Sequence, residues 1–182
     1  TYNIWDGGTN EAGGNREKLL LRILRLMRPD ILLLTEACHF TSADTESFRI
    51  WQNALGMRGG VIQTSSGFHL ALLARSPCSI RSMEAIHTQI FYHGCLSAVV
   101  DTPGGELRLL GVHLNPFDPG SRLSETRHLA REAYSDREVI LLGDFNSVSP
   151  SDEIHESLWD LPPRFLARHV RDADHPREFD TR

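Results

Sequence analysis

Nowhere in this chain do apolar residues run on for the roughly 20 positions that a membrane-spanning helix requires, so no such span is expected. Cysteine is scarce. Cys38, Cys78 and Cys95 are odd in number and lack C-x-x-C spacing, which argues against a disulfide framework and for a reducing compartment, taken as the cytoplasm. Positive charge is not in excess either: at a formal net charge of −5 the chain does not gain affinity by coating a long polyanion with basic side chains. A compact phosphate site stays open, because bound divalent cations reverse the local sign. The absence of an H-E-x-x-H segment and of paired cysteines disfavours zinc, and the absence of a G-x-G-x-x-G or G-x-x-x-x-G-K-[ST] loop disfavours a doubly wound nucleotide-binding protein. No secretory or transit segment opens the chain. Thr1 is not an initiating Met and stands inside a strand-like stretch, so the N-terminus is expected to be a processing or cloning boundary.

What is present is an ordinary globular composition, 182 residues with 40% hydrophobic and 24% charged, which suits one domain over residues 1–182. Arg16, Lys18, Arg22, Arg25 and Arg28 fall at helical spacing and read as a solvated outer face. Residues 1 to 5 read as a strand, followed by a glycine-rich turn from Gly7 to Gly14. Asn15 is placed to cap a helix from Arg16 to Met27, in which Leu19, Leu20, Ile23, Leu24 and Met27 share a face and which Pro29 stops. A second helix is expected from Glu46 to Leu55. Strands follow over 60–64, 68–75, 79–87, 95–101 and up to His113, in a meander with short turns. A helix over Ser121 to Tyr134 leads into a last strand. In the tail, Ile154, Leu158 and Leu161 suggest a short helix that Pro162-Pro163 interrupts. A mixed sheet, or two sheets packed face to face with helices outside, accommodates these elements.

Several apolar runs end in polar side chains. Val139-Ile140-Leu141-Leu142 reads as a strand covered on both faces and ends in Gly143-Asp144-Phe145-Asn146-Ser147. Ile31-Leu32-Leu33-Leu34 leads through Thr35 into Glu36, the strand through Leu110 ends in His113 and Asn115, and Asn3 stands in the opening strand. If these ends meet, they form an oxygen-rich site with one imidazole. Carboxylates and amides without thiolates suit a hard ion such as Mg2+, with Mn2+ as the alternative. His39, Tyr92, His93 and Asn115 are further candidates to line such a pocket.

The residues resemble the endonuclease/exonuclease/phosphatase superfamily of metal-dependent phosphoesterases, through T-Y-N-I at 1 to 4, L-L-T-E at 33 to 36, G-V-H-L at 111 to 114 and G-D-F-N-S at 143 to 147. The resemblance implies a DNase I-like α/β fold, a four-layer sandwich of two packed mixed β-sheets flanked by helices. It implies Glu36, Asn3 and Asp144 as the metal set, Asn3 and Asn146 as substrate-binding, and His113, Asp144 and Asn146 as catalytic. In that family His donates to a phosphate oxygen, while the Asp and Asn orient water and phosphate. The family pattern closes with a strand carrying Asp-His. Asp174-His175 imitates that pair, but no hydrophobic strand precedes it, and the closing C-terminal strand is expected to lie beyond Arg182.

The function expected is Mg2+-dependent hydrolysis of a phosphodiester or phosphomonoester by attack of water. A nuclease acting on DNA or RNA is the alternative within that class. A catalytically silent binding domain lacking the closing His is the alternative outside it. Each residue also has a plainer role open to it: Glu36 can cap a turn, Asp144 and Asn146 can form an Asx turn, and His113 can be a satisfied core histidine.

Overall fold

The computed structural model describes residues 1–9, 14–40, 45–134, 138–149, 151 and 159–169. Two four-stranded sheets carry the fold. The first has the order β1 (Tyr2–Asn3), β2 (Ile31–Thr35), β4 (Leu70–Ala74), β3 (Arg58–Ile62). The second has the order β5 (Ser79–Ala85), β6 (Cys95–Thr102), β7 (Gly105–His113), β8 (Val139–Asp144). A short 3-10 turn over Asp6–Gly8 and helices α1 (Glu17–Met27), α2 (Thr45–Leu55), α3 (Pro119–Ala133) and α4 (Pro163–Leu166) complete the described elements.

Side-chain alternation along the strands builds four layers. Leu33 of β2 and Leu70 and Leu72 of β4 point between the sheets, where they meet Leu96, Ala98, Val100 and Leu109. Their neighbours Leu32, Leu34, Ala71 and Leu73 face the other way, against Leu20, Leu24, Phe48 and Trp51 of α1 and α2. On the far side, Leu110 and Val112 of β7 pack on Leu129 of α3. A one-residue slip would exchange these faces, and each fully buried Leu contributes about 1.5–3 kcal/mol, so both sheets hold their register firmly. The sheets come close at Gly111, where an added Cβ would stand 3.0 Å from Leu96 and 3.1 Å from Leu33.

Two parallel pairings position the chemistry. Helix α1 carries the chain from β1 back to β2, so Asn3 lies beside Thr35, one residue before Glu36. Helix α3 does the same from β7 to β8 and sets His113 beside Asp144. All other pairings are antiparallel. The strand ends that carry Asn3, Glu36, His113 and Asp144 therefore open on one edge of the sandwich.

Two expectations are corrected. The run Val139–Leu142 is not covered on both faces: Ile140 is 48% and Leu141 41% exposed, because β8 is the last strand of its sheet and pairs only with β7 among the described residues. The expected meander divides between the sheets, β3 and β4 joining the first and β5 to β7 the second. Pro163 opens α4, as proline does at the first helical position, where its missing N–H costs nothing; the helix expected before it falls mostly on residues 152–158, outside the described residues. Ile154 and Leu158, and the Asp174-His175 pair, lie outside the described residues. Asn15 does cap α1, its Oδ1 accepting the Glu17 N–H at 2.7 Å. The three cysteines are free thiols, and no helix among the described residues is long and apolar enough to cross a membrane.

Candidate active site

Asn3 is the hinge of the site. Its Nδ2 donates to Glu36 Oε1 and to Asp144 Oδ2, each at 2.9 Å, so two carboxylates from different sheets converge on one amide nitrogen. The Asn3 Oδ1 accepts the Trp5 N–H at 2.8 Å, which fixes the amide's orientation. Glu36 Oε2 accepts the Asp6 N–H at 3.0 Å, and its backbone carbonyl accepts from Gly7 and Cys38. Glu36 has φ +58° and Asn146 φ +48°. Non-glycine residues seldom adopt this left-handed conformation, which costs about 1–3 kcal/mol and persists where surrounding bonds enforce it. Both stand directly past the strands that deliver the carboxylates.

The approach to Asp144 depends on Gly143. Its φ is +153°, and a Cβ there would lie 2.0 Å from the Val112 carbonyl oxygen, so β7 and β8 can pair only around a glycine. Asp144 Oδ1 then accepts the Asn146 N–H at 3.0 Å, and Asn146 Nδ2 donates to the Leu114 carbonyl at 2.8 Å. This is the Asx turn that Asp144 and Asn146 could form, and it leaves Asp144 Oδ2 turned to Asn3.

His113 is 2% exposed, with Nε2 3.8 Å from Asp144 Oδ2 and Nδ1 buried without a partner. Burial pushes its pKa down, against the opposing pull of Asp144 and Glu36. A neutral ring with an unpartnered Nδ1 carries its proton on Nε2, the nitrogen that faces the carboxylate. His93 stacks on this ring at 4.3 Å and donates to or accepts from Ser66 Oγ through Nδ1 at 3.0 Å. Burial and the neighbouring His113 lower the His93 pKa to about 4. Nearby, burial together with Asp6 and Glu36 drives the Cys38 thiol up to about 12, so no soft thiolate joins the site.

A cleft of about 490 Å³ is lined by Asn3, Asp144, Phe145, Asn146, Ser147 and His169, and so opens on the Asn3–Asp144 side of the site; Glu36 and His113 do not line it. Among the described residues no group of three or more His, Cys, Asp or Glu is arranged to hold a metal. The donor set fits instead a hard cation of the Mg2+ kind, which takes one or two carboxylates and fills its other positions with water and substrate oxygens. Glu36 and Asp144, gathered on one amide, supply that pair.

Of the further candidates, His93 packs on His113, Tyr92 borders His93 at 4.7 Å, and His39 packs under Gly7. Asn115 spends its Oδ1 on the Phe117 and Asp118 N–H groups. Sequence reasoning missed two supports. Arg122, fully buried, donates to Ser147 Oγ at 3.1 Å, to the Asn115 carbonyl at 3.1 Å and to the Arg168 carbonyl at 2.6 Å. Glu125 accepts the Tyr92 N–H at 2.7 Å and the Asn115 N–H at 2.8 Å. Burial raises the Glu125 pKa, and those two amides and Arg122 oppose the rise. The available signal was spacing: 122, 125 and 129 share a face of α3 with Leu129, which reaches the core.

A model of the endonuclease/exonuclease/phosphatase family matches residues 1–166. No curated protein sequence matches the chain. Among solved structures, a D. rerio TDP2 humanized by 14 mutations is similar with a TM-score of 0.64 at 19% identity, over 80% of this chain and 60% of that one. D. rerio TDP2 complexed with single-strand DNA product is similar with a TM-score of 0.57 at 20% identity, over 71% of this chain and 52% of that one. ANGEL2, described as a 2',3'-cyclic phosphatase and bound to adenosine-2',3'-vanadate, is similar with a TM-score of 0.57 at 18% identity, over 75% of this chain and 45% of that one. The chain thus spans about half the length of these neighbours, and the likeness bears out the DNase I-like sandwich.

Proposed function

Since this chain belongs to the endonuclease/exonuclease/phosphatase family, we propose that it hydrolyses a phosphodiester with the help of a divalent cation, Mg2+ or Mn2+. The observation that carries this reading is the convergence of Glu36 and Asp144 on Asn3, with the neutral His113 ring beside them. A cation held by Glu36 and Asp144 would neutralise the phosphate and favour attack by water. Asn3 keeps the two carboxylates together. His113 presents its Nε2–H to a phosphate oxygen as charge builds there. Asp144 orients the attacking water, and Asn146, one of whose amide hydrogens is taken by Leu114, offers the other to the phosphate. Buried Arg122 holds Ser147 and Asn115, and so fixes the loops on either side.

The nucleic-acid reading draws support from the DNA product in the TDP2 neighbour and the adenosine moiety in the ANGEL2 complex, and residues 1–182 are taken as a single domain of this type. The free thiols support a reducing compartment such as the cytoplasm. The test is a panel of single-stranded DNA, single-stranded RNA, plasmid, a generic phosphodiester and several phosphomonoesters, each with Mg2+, with Mn2+ and with chelator. Turnover is expected on at least one diester, to vanish with chelator, and to fall at least about a hundredfold in kcat for Asp144→Ala and His113→Ala. Metal-independent turnover, or unchanged rates in both variants, would sink the assignment. Binding without turnover on any member would favour a silent binding domain.

A further inference from the structure

A chain of rings runs outward from the site. It begins at His113, continues through His93 at 4.3 Å and Tyr92 at 4.7 Å, and reaches Phe117 at 5.6 Å from Tyr92, edge to face. The inner two are buried, whereas Tyr92 is 47% and Phe117 49% exposed. The Arg168 guanidinium lies 4.8 Å from the Phe117 centroid and 5.0 Å from that of Phe165, and the Arg164 guanidinium lies 4.8 Å from the Phe165 centroid. Among the described residues neither arginine is ion-paired with a carboxylate, whereas Arg81 and Arg108 are.

We infer that this strip is a stacking platform for a nucleobase of single-stranded nucleic acid, the base adjacent to the phosphate at His113. The inference rests on the phosphoesterase reading above and deepens it by naming the substrate class. Tyr92 and Phe117 meet edge to face and each stays about half exposed, so a flat apolar partner can cover ring surface that the protein leaves open. Arginines between rings supply both a planar face and the charge to meet the flanking phosphates. Stacking of this kind tolerates any base, since every base presents a π-face. Beside Tyr92 lies a cleft of about 690 Å³ whose walls include Ser65, Ser66, Thr88 and Gln89, room and hydrogen-bonding capacity of the kind a nucleotide takes up. A sugar phosphate or a lipid headgroup has no aromatic face to place there.

The platform is held to the site. Tyr92 hangs from Glu125 through its N–H, and Arg122 grips the Arg168 carbonyl at 2.6 Å. Phe117 follows His113 by four residues and is fixed by the Asn115 turn. The strip and the imidazole are thus tied to one framework, the rings stepping outward from His113 by 4.3, 4.7 and 5.6 Å.

The experiment uses short single-stranded DNA and RNA oligonucleotides with 2-aminopurine at one position, titrated with the full chain in chelator so that nothing is cut. Saturable quenching is expected, and Phe117→Ala and Tyr92→Ala each weaken binding roughly tenfold. Phe117→Trp restores it, and circular dichroism confirms that the variants fold. An abasic oligonucleotide loses about the same factor on the unmodified chain and is indifferent to Phe117→Ala. Absence of quenching, or equal binding of base-containing and abasic strands, overturns the platform. Hydrolysis with Mg2+ separates the two readings. Turnover of the abasic strand at the same KM sinks the platform and leaves the phosphoesterase; stacking without turnover of any strand sinks the phosphoesterase and leaves the platform. Stronger quenching with DNA or with RNA tells which of the two sources the base comes from, and either one supports the platform.

Discussion

Burial makes His113 and His93 poor bases, and His93 carries the larger shift. Its proton is bound with a pKa of about 4 in the fold and near the ordinary 6.5 in the unfolded chain. Between those values the unfolded chain holds more protons, so stability falls as pH drops from 6.5 toward 4 and levels off below. The full difference is roughly 3 kcal/mol, and the lowered pKa values of His113 and His69 act in the same direction. Denaturant midpoints between pH 7.5 and 4 should show this slope, and His93→Phe should flatten it; an unchanged slope in that variant would assign the effect elsewhere. Asn3, Glu36, His113 and Asp144 were legible in the sequence because each interrupts or ends an apolar run that had no other reason to stop there. His93 stood out only as one of four candidate pocket residues, because it sits in a loop between Tyr92 and Gly94, and its place beside the site comes from stacking on a residue 20 positions away.

At the level of elements, α3 does more than close the crossover. Asp118 caps it, accepting the Ser121 N–H, and Pro119 opens it. Arg122 then joins it to the loop after β8, to the turn after β7 and to the segment ending at Arg168. Arg122→Ala strands buried carbonyls without donors, and should cost about 2–4 kcal/mol. Thermal unfolding of the purified variant measures it, and a loss below about 0.5 kcal/mol would mean that water replaces the guanidinium. Helix α1 was readable from its apolar stripe and Asn15, and α3 from little more than its bounds, since its inward face is charged. The helix that Pro163 opens was not legible for a related reason: proline ends a helix or begins one, and only the chain that follows decides.

For the whole molecule, the double-sided burial of β2 and β4 was written in unbroken leucine runs, and four layers follow from it. Which sheet each middle strand joins was not legible, because a period of two gives faces and not neighbours. The run Val139–Leu142 shows the limit: apolar composition made it look central, yet among the described residues β8 is an edge. That edge has a practical consequence. Among the described residues nothing pairs with the outer side of β8, and with Ile140 and Leu141 half out of the fold this side is a template on which a second copy can extend the sheet. At high concentration residues 1–182 should therefore self-associate through the strand that carries Asp144. Sedimentation across a dilution series checks this, and Ile140→Lys should keep the chain monomeric at concentrations where the unmodified chain sediments faster. Anyone handling this chain should accordingly treat dilution as a variable of its chemistry.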